Sequence, residues 1–227
     1  MPILYNVRGY WRENRGTNFK SKDYWDGKML LQDDGWFEGI AHDPESSYTG
    51  DRFIFGVCHE AGIMEIYKFC PLAIASPFVY SISRRDDALR GDVFWLRDQH
   101  LYPFGDALIS RSQVDPERVD VNSEIKELEE SIEEYKDEKL DKPLQVCYDR
   151  IKELKDCIIK LRVIREKGHL ISFEDSKELF DKFESVYTNS STSLANSLFK
   201  SYNRDFKKVI LDRSTLPPET TDLPFEI

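Results

Sequence analysis

From Lys28 to Cys70 the side chains change sides residue by residue, and this alternation restricts the fold more than any other feature of the chain. Read in twos, Trp36, Glu38, Ile40 and His42 share one face and Phe37, Gly39 and Ala41 the other, which is the period of an extended strand. Asp33-Asp34-Gly35 before that run and Glu60-Ala61-Gly62 after the next are residues that supply tight turns. Across the second turn the run from Phe53 to Cys58 meets the run from Ile63 to Tyr67, and both are rich in β-branched or aromatic residues. Strands joined by such short turns are antiparallel neighbours.

The pattern continues on both sides. Ile3, Tyr5, Val7, Gly9 and Trp11 alternate with Asn6, Arg8, Tyr10 and Arg12, which predicts a half-buried first strand. Glu13 to Asp26 reads as a polar segment that carries Tyr24-Trp25 and holds a short strand or an irregular turn. His42 to Asp51 reads as an exposed loop, and Pro71 and Pro77 interrupt regular pairing. Further strands are predicted over Phe78 to Ser83, Val93 to Arg97 and Gly105 to Ser112, with Arg84-Arg85-Asp86-Asp87 and Gly91 forming a charged loop. About seven or eight strands therefore fit before Ser112, at the spacing of an all-β sandwich or barrel.

After Val114-Asp115-Pro116 the periodicity changes from two to that of a helix. Ile125, Leu128, Ile132 and Tyr135 step along a Glu-rich helix, and Leu144, Cys147, Ile151, Leu154, Ile158 and Leu161 form a heptad seam in the next. The short link from Lys139 to Pro143 predicts an antiparallel hairpin, and Gly168 suits the end of its second arm. Ser172-Phe173-Glu174-Asp175 resembles a capping box that starts a third helix, with shorter helices around Leu194 to Tyr202 and Phe206 to Leu211. The expected fold class is α+β: an antiparallel barrel of about eight strands over residues 1–116, a helical hairpin or bundle over 117–213, and an extended tail over 214–227.

Composition limits the function classes. A net charge of -10 disfavours duplex nucleic acid as a partner, because phosphate would be repelled overall. No apolar run reaches the length of a membrane-spanning helix, and the start of the chain lacks the pattern of a secretory signal. Cys58, Cys70, Cys147 and Cys157 form no C-x-x-C pair, so reduced, buried thiols and a cytoplasmic location are expected, with no metal and no cofactor.

Gly9-Tyr10-Trp11 in the first strand of such a domain resembles the G-x-W signature of the calycin barrels, the group that includes lipocalins and avidins. The resemblance covers about residues 5 to 112. It implies that Trp11 closes the barrel and that a basic residue of the last strand, Arg111, packs over it. It also implies a binding role, with one small apolar or amphipathic molecule held inside the barrel. Phe53, Phe55, Tyr67, Phe69, Phe78, Tyr80 and Trp95 recur at spacings of two and are available for such a lining, though the same rings would serve equally to fill the barrel solid.

The polar residues on these faces bear on chemistry. Trp36 and Glu38 share a face, and Glu65 alternates with Ile63 and Tyr67; turned inward, the two carboxylates would share a site with His42 or His59 suited to general acid-base work. Turned outward, they are structural. His100 and His169 stand alone, and no nucleophile elbow or glycine-rich phosphate loop is present. The heptad seam is internal core if it folds onto the hairpin or barrel, and a homodimer or partner surface if left exposed. The sequence thus favours a non-catalytic binding protein. The alternatives are an enzyme working in the barrel cavity and an interaction protein with a filled barrel.

Overall fold

The computed structural model describes residues 2–13, 22–44, 50–59, 62–69, 78–85, 88–97, 100–167, 175, 177–179, 181–182 and 185. Its first part is a closed antiparallel barrel of eight strands in sequence order: β1 (Ile3–Glu13), β2 (Lys22–Leu31), β3 (Trp36–His42), β4 (Asp51–His59), β5 (Ile63–Phe69), β6 (Phe78–Arg85), β7 (Ala88–Arg97) and β8 (His100–Gln113). The last strand pairs with the first, from Tyr5 opposite Gln113 to Glu13 opposite Gly105, so no edge is left open. Two helices follow, α1 (Val121–Glu138) and α2 (Lys142–Lys167). The barrel-then-helices order is the one the change of periodicity predicts.

Three boundaries differ from the sequence reading. β2 begins at Lys22, inside the segment taken as polar, because Trp25 turns into the barrel while Asp26 turns outward to pair with Arg8 at 3.2 Å. The charged stretch Arg84-Arg85 ends β6 rather than forming a loop, and β7 already begins at Ala88. β8 begins at His100 and runs through Pro103, which lies opposite Phe94 where the register shifts between Val93 and Phe94; a proline is tolerated at such an irregularity.

Two apolar clusters show which residues face in. The lumen holds Val7, Trp25, Met29, Phe37, Ala41, Ile54, Cys58, Met64, Ile66, Tyr80, Ile82, Val93, Ala107 and Ile109. The second cluster joins the outer wall, through Trp36, Phe53, Phe55, Val57, Tyr67 and Phe69, to Leu128, Ile132 and Tyr135 of α1 and to Leu144, Cys147, Tyr148, Ile151, Leu154, Cys157 and Ile158 of α2. β4 and β5 are therefore buried on both faces, which is why their sequences read as nearly continuous apolar runs.

The caps place the helices. Asp120 Oδ1 accepts from the backbone N–H of Asn122 and Ser123, and Asp141 Oδ1 accepts from that of Leu144 at 3.0 Å, so Pro143 falls in the first turn of α2 where its missing N–H costs nothing. α1 lies over β2 and β3, and α2 returns over β4 and β5. Each fully buried Leu or Ile of the α2 seam contributes about 1.5–3 kcal/mol relative to exposure. The seam from Leu144 to Ile158 thus packs on the barrel wall, the internal one of the two alternatives; the side chain of Leu161 lies outside the described residues. Residues 175, 177–179, 181–182 and 185 are helical, within the predicted third helix, while the helices expected around Leu194 to Leu211 and the tail lie outside the described residues.

Candidate functional site

The barrel has two ends. At the base lie the turn at 32–35 and Gly62, with Gly35 in the left-handed region (φ 83°), where an added Cβ would come within 2.6 Å of the Cys58 carbonyl oxygen. At the rim, β1 gives way to β2, β3 to β4, β5 to β6 and β7 to β8. Side chains anticipated as one ligand lining fall on opposite sides of the wall between these ends. Phe78 and Tyr80 belong with the lumen cluster and Trp95 stacks on Phe78. Trp36, Glu38, Phe53, Phe55, Glu65 and Tyr67 are on the outer face, under the helices. The expectation that these rings line one interior is thereby corrected. The period-two pattern links residues of one face but does not say which face is inside, and in β4 both faces are apolar.

The outward carboxylates do not form a common acid-base site. Trp36 Nε1 donates to Glu38 Oε1 at 2.8 Å, Tyr148 Oη donates to the same oxygen, and Lys136 Nζ donates to Oε2 at 2.7 Å. Lys152 stands 3.6 Å from Glu38 and donates to Tyr148 Oη at 3.2 Å. Burial pushes the Glu38 carboxyl up, but the bonds from Lys136, Trp36 and Tyr148 outweigh it and hold it below its ordinary value. Burial pulls the Lys136 ammonium down, but its bonds to Glu38 and Glu133 outweigh that and hold it above its ordinary value. The Tyr148 hydroxyl is driven upward by burial and by Glu38, so it stays protonated and acts as a donor. This network clamps α1 and α2 to β3. Glu65 is held separately, accepting from Ser81 Oγ at 3.0 Å and facing Arg162 Nε at 3.5 Å. His42 is exposed at the rim and His59 is at the base.

The rim end of the lumen is different. Trp11, Phe78, Trp95 and Phe104 are each half-buried and touch one another, with ring centroids 4.9 Å apart for Trp11 and Phe104, 5.3 Å for Phe78 and Phe104, and 6.4 Å for Phe78 and Trp95. On the neighbouring strands β4 and β5 are two buried cations, Arg52 at 2% exposure and Lys68 at 5%, Lys68 being paired with Phe78. Lys68 Nζ reaches Asp43 at 2.9 and 3.0 Å, Arg52 Nε reaches the same carboxylate at 3.3 Å, and Arg52 also donates to the Gly50 carbonyl at 2.6 Å. Lys68 lies between two rings, 5.7 Å from the centre of Phe78 and 5.8 Å from that of Trp25. Trp25 is wholly buried and its Nε1–H has no acceptor among the described residues, a deficit of about 1–3 kcal/mol. Its indole lies across Gly9, where an added Cβ would be 2.2 Å from Trp25 Cε2. Gly9 is thus the clearance that lets the indole enter the lumen.

Lower in the barrel, Arg111 lies over the Tyr5 ring at 5.4 Å and donates to Cys58 Sγ at 2.8 Å. It is paired with Val7, whereas Trp11 is paired with Ala107, so the arginine-tryptophan contact implied by the calycin resemblance is replaced by one with Tyr5. On the outside of the base, two adjoining open grooves of about 420 and 360 Å³ run beside His59, Ile159, Lys160, Glu178 and Leu179. Charges of both signs line them with no convergent pair suited to one ligand. Cys58, Cys147 and Cys157 are free thiols; burial pushes Cys147 up to about 12, which makes it inert at neutral pH. Among the described residues no cluster of His, Cys, Asp or Glu is arranged to hold a metal ion, and no helix is long and apolar enough to cross a membrane.

Sequence reasoning did not assign Trp25, Arg52, Lys68 or Asp43 to a common site; Asp43 reads there as part of a solvated acidic turn. A signal existed for Lys68, which alternates with Met64 and Ile66, and for Arg52, which alternates with Ile54: a cation on an apolar face needs a partner. No protein-family model matches the chain, and no curated protein matches it.

Proposed function

We propose that this protein is a non-catalytic binder of a small amphipathic molecule, taken up at the rim of the barrel. The observation that carries the reading is the cluster of four half-buried rings, Trp11, Phe78, Trp95 and Phe104, with buried Lys68 paired in register with Phe78 on the next strand. Rings left half in water lose part of the free energy that their burial would supply, so a ligand body covering them is stabilised by what folding left unused. Acid-base chemistry in the lumen has no support from the carboxylates, since Glu38 and Glu65 face outward and are engaged there.

Native mass spectrometry of the full chain, together with titration of the neutral fluorophore N-phenyl-1-naphthylamine, tests this. The expected result is a co-purifying small molecule or saturable uptake of one fluorophore per chain, weakened by Phe78→Ser. Neither adduct nor saturable uptake would sink the reading. A second reading has its own observation: Trp25, Met29, Phe37, Ile54, Met64, Tyr80, Ile82 and Val93 all have zero exposure, so the lumen below the rim is filled. In that reading the barrel is a solid scaffold for the helices, and the same titration then shows no uptake.

A further inference from the structure

We infer that the molecule taken at the rim is an amphipathic anion, an oxygen of its carboxylate, sulfonate or phosphate group accepting from Trp25 Nε1 beside the Lys68 ammonium while its apolar body lies among Trp11, Phe78, Trp95 and Phe104. The inference rests on the binding reading above and adds the charge and orientation of the ligand. Three observations bear on it independently. The Trp25 Nε1–H is a buried donor without an acceptor among the described residues. The Lys68 ammonium sits 5.8 Å from the centre of that same indole and 5.7 Å from that of Phe78. The rings on the solvent side of this pair are half-buried, whereas Trp25 and Tyr80 are fully buried.

These positions determine the direction of entry. The filled lumen below Trp25 admits nothing deeper, so the head group stops at the indole and the body stays at the mouth. Phe78, half-buried and bordered by Lys68 on one side and Trp11, Trp95 and Phe104 on the other, is the ring that turns aside. An indole N–H donates and accepts nothing, and the ammonium, which also holds Asp43, carries positive charge and only donors, so the two together select an acceptor-only, negatively charged group. A neutral analogue of the same body keeps the ring contacts and loses the charge-assisted bonds.

The test compares two fluorophores that differ by one group: 1-anilinonaphthalene-8-sulfonate, which carries a sulfonate, and N-phenyl-1-naphthylamine, which lacks it. Both are titrated into the full chain and into Lys68→Met, Lys68→Arg and Trp25→Phe. The readout is the ratio of the two dissociation constants, which a general loosening of the barrel leaves unchanged because it affects both probes alike. In the unaltered protein the sulfonate should bind about tenfold tighter, the worth of a charge-assisted hydrogen bond. Lys68→Met and Trp25→Phe should each bring the ratio to within about twofold of unity, and Lys68→Arg should retain it. A ratio near unity in the unaltered protein, with saturable binding of both probes, overturns the anion and leaves the binding reading standing. A preference that survives both Lys68→Met and Trp25→Phe overturns the assignment to this pair. Saturable binding of neither probe overturns both readings together.

Discussion

Two of the polar clusters among the described residues, one around Glu38 and one around Lys68, lie on opposite sides of the barrel wall and differ in how completely they are satisfied. Outside, Glu38 collects bonds from Trp36, Tyr148 and Lys136, with Lys152 close by, so the groups complete one another and tie both helices to β3. Inside, Arg52 and Lys68 share Asp43, but the neighbouring Trp25 Nε1–H has no acceptor among the described residues and the rings at the rim remain half-buried. Buried polar groups that close on themselves are structure. A buried donor left open beside a wet aromatic mouth is a place for something the chain does not itself supply.

This contrast can be broken by measuring what each cluster contributes. The largest effect is expected at Glu38→Ala, which leaves Lys136 part-buried without its main partner and removes the acceptor of Trp36 and Tyr148; urea unfolding should show a loss of about 3 kcal/mol. A loss below about 1 kcal/mol would show that the helices are held by apolar packing alone. Next comes Gly9→Ala, whose added methyl group would overlap the Trp25 indole and should cost about 2 kcal/mol, with a change in tryptophan fluorescence. Unchanged fluorescence would mean that the indole does not depend on that clearance. Trp25→Phe should cost less, about 1 kcal/mol, because the smaller ring leaves a void while the unpaired N–H is removed. If it costs as much as Glu38→Ala, the lumen is the more self-sufficient of the two clusters and the contrast is reversed.

The pH dependence sharpens the same point. The folded-state carboxyl of Glu38 lies below its ordinary value of 4.5, so its contribution is fully present above that pH and is lost as pH falls through the lowered folded value. Acid unfolding of the unaltered protein should therefore steepen below about pH 4.5, and Glu38→Gln should flatten that segment; an identical profile in the two proteins would exclude Glu38 as the titrating group. The smallest effect is expected on the uncovered wall, where Arg12 meets Asp106 at 2.9 Å with both side chains about half exposed. Arg12→Ala should change stability by no more than about 0.5 kcal/mol, read in the same urea assay.

How much of this was legible depended on how many faces of a strand are buried. β1 has polar neighbours on one side, and its alternation identified Val7, Gly9 and Trp11 as one face correctly. β4 and β5 lie between the lumen and the helices, so an inward Ile54 and an outward Phe55 look equally apolar in the sequence. The aromatic lining was therefore assigned to the wrong side at Phe53, Phe55 and Tyr67, while Phe78 and Tyr80 were assigned to the right one. The site was less legible than the fold. Trp25 lies in a stretch too polar to read as a strand, and the proximity of Lys68 to Trp25 joins β5 to β2 across the lumen, a contact that no local pattern encodes.

By itself the sequence determined an antiparallel array of about seven or eight strands, the switch to helices after Pro116 and the seam of α2, because each follows from a short-range period that the backbone imposes on any chain of that pattern. The tertiary structure alone decided which face of each strand turns inward, and with it that Glu38 would be a clamp and Trp25 an open donor. That decision belongs to closure and to the docking of the helices, since a strand buried on both sides carries no local mark of its interior and only the paired wall assigns one.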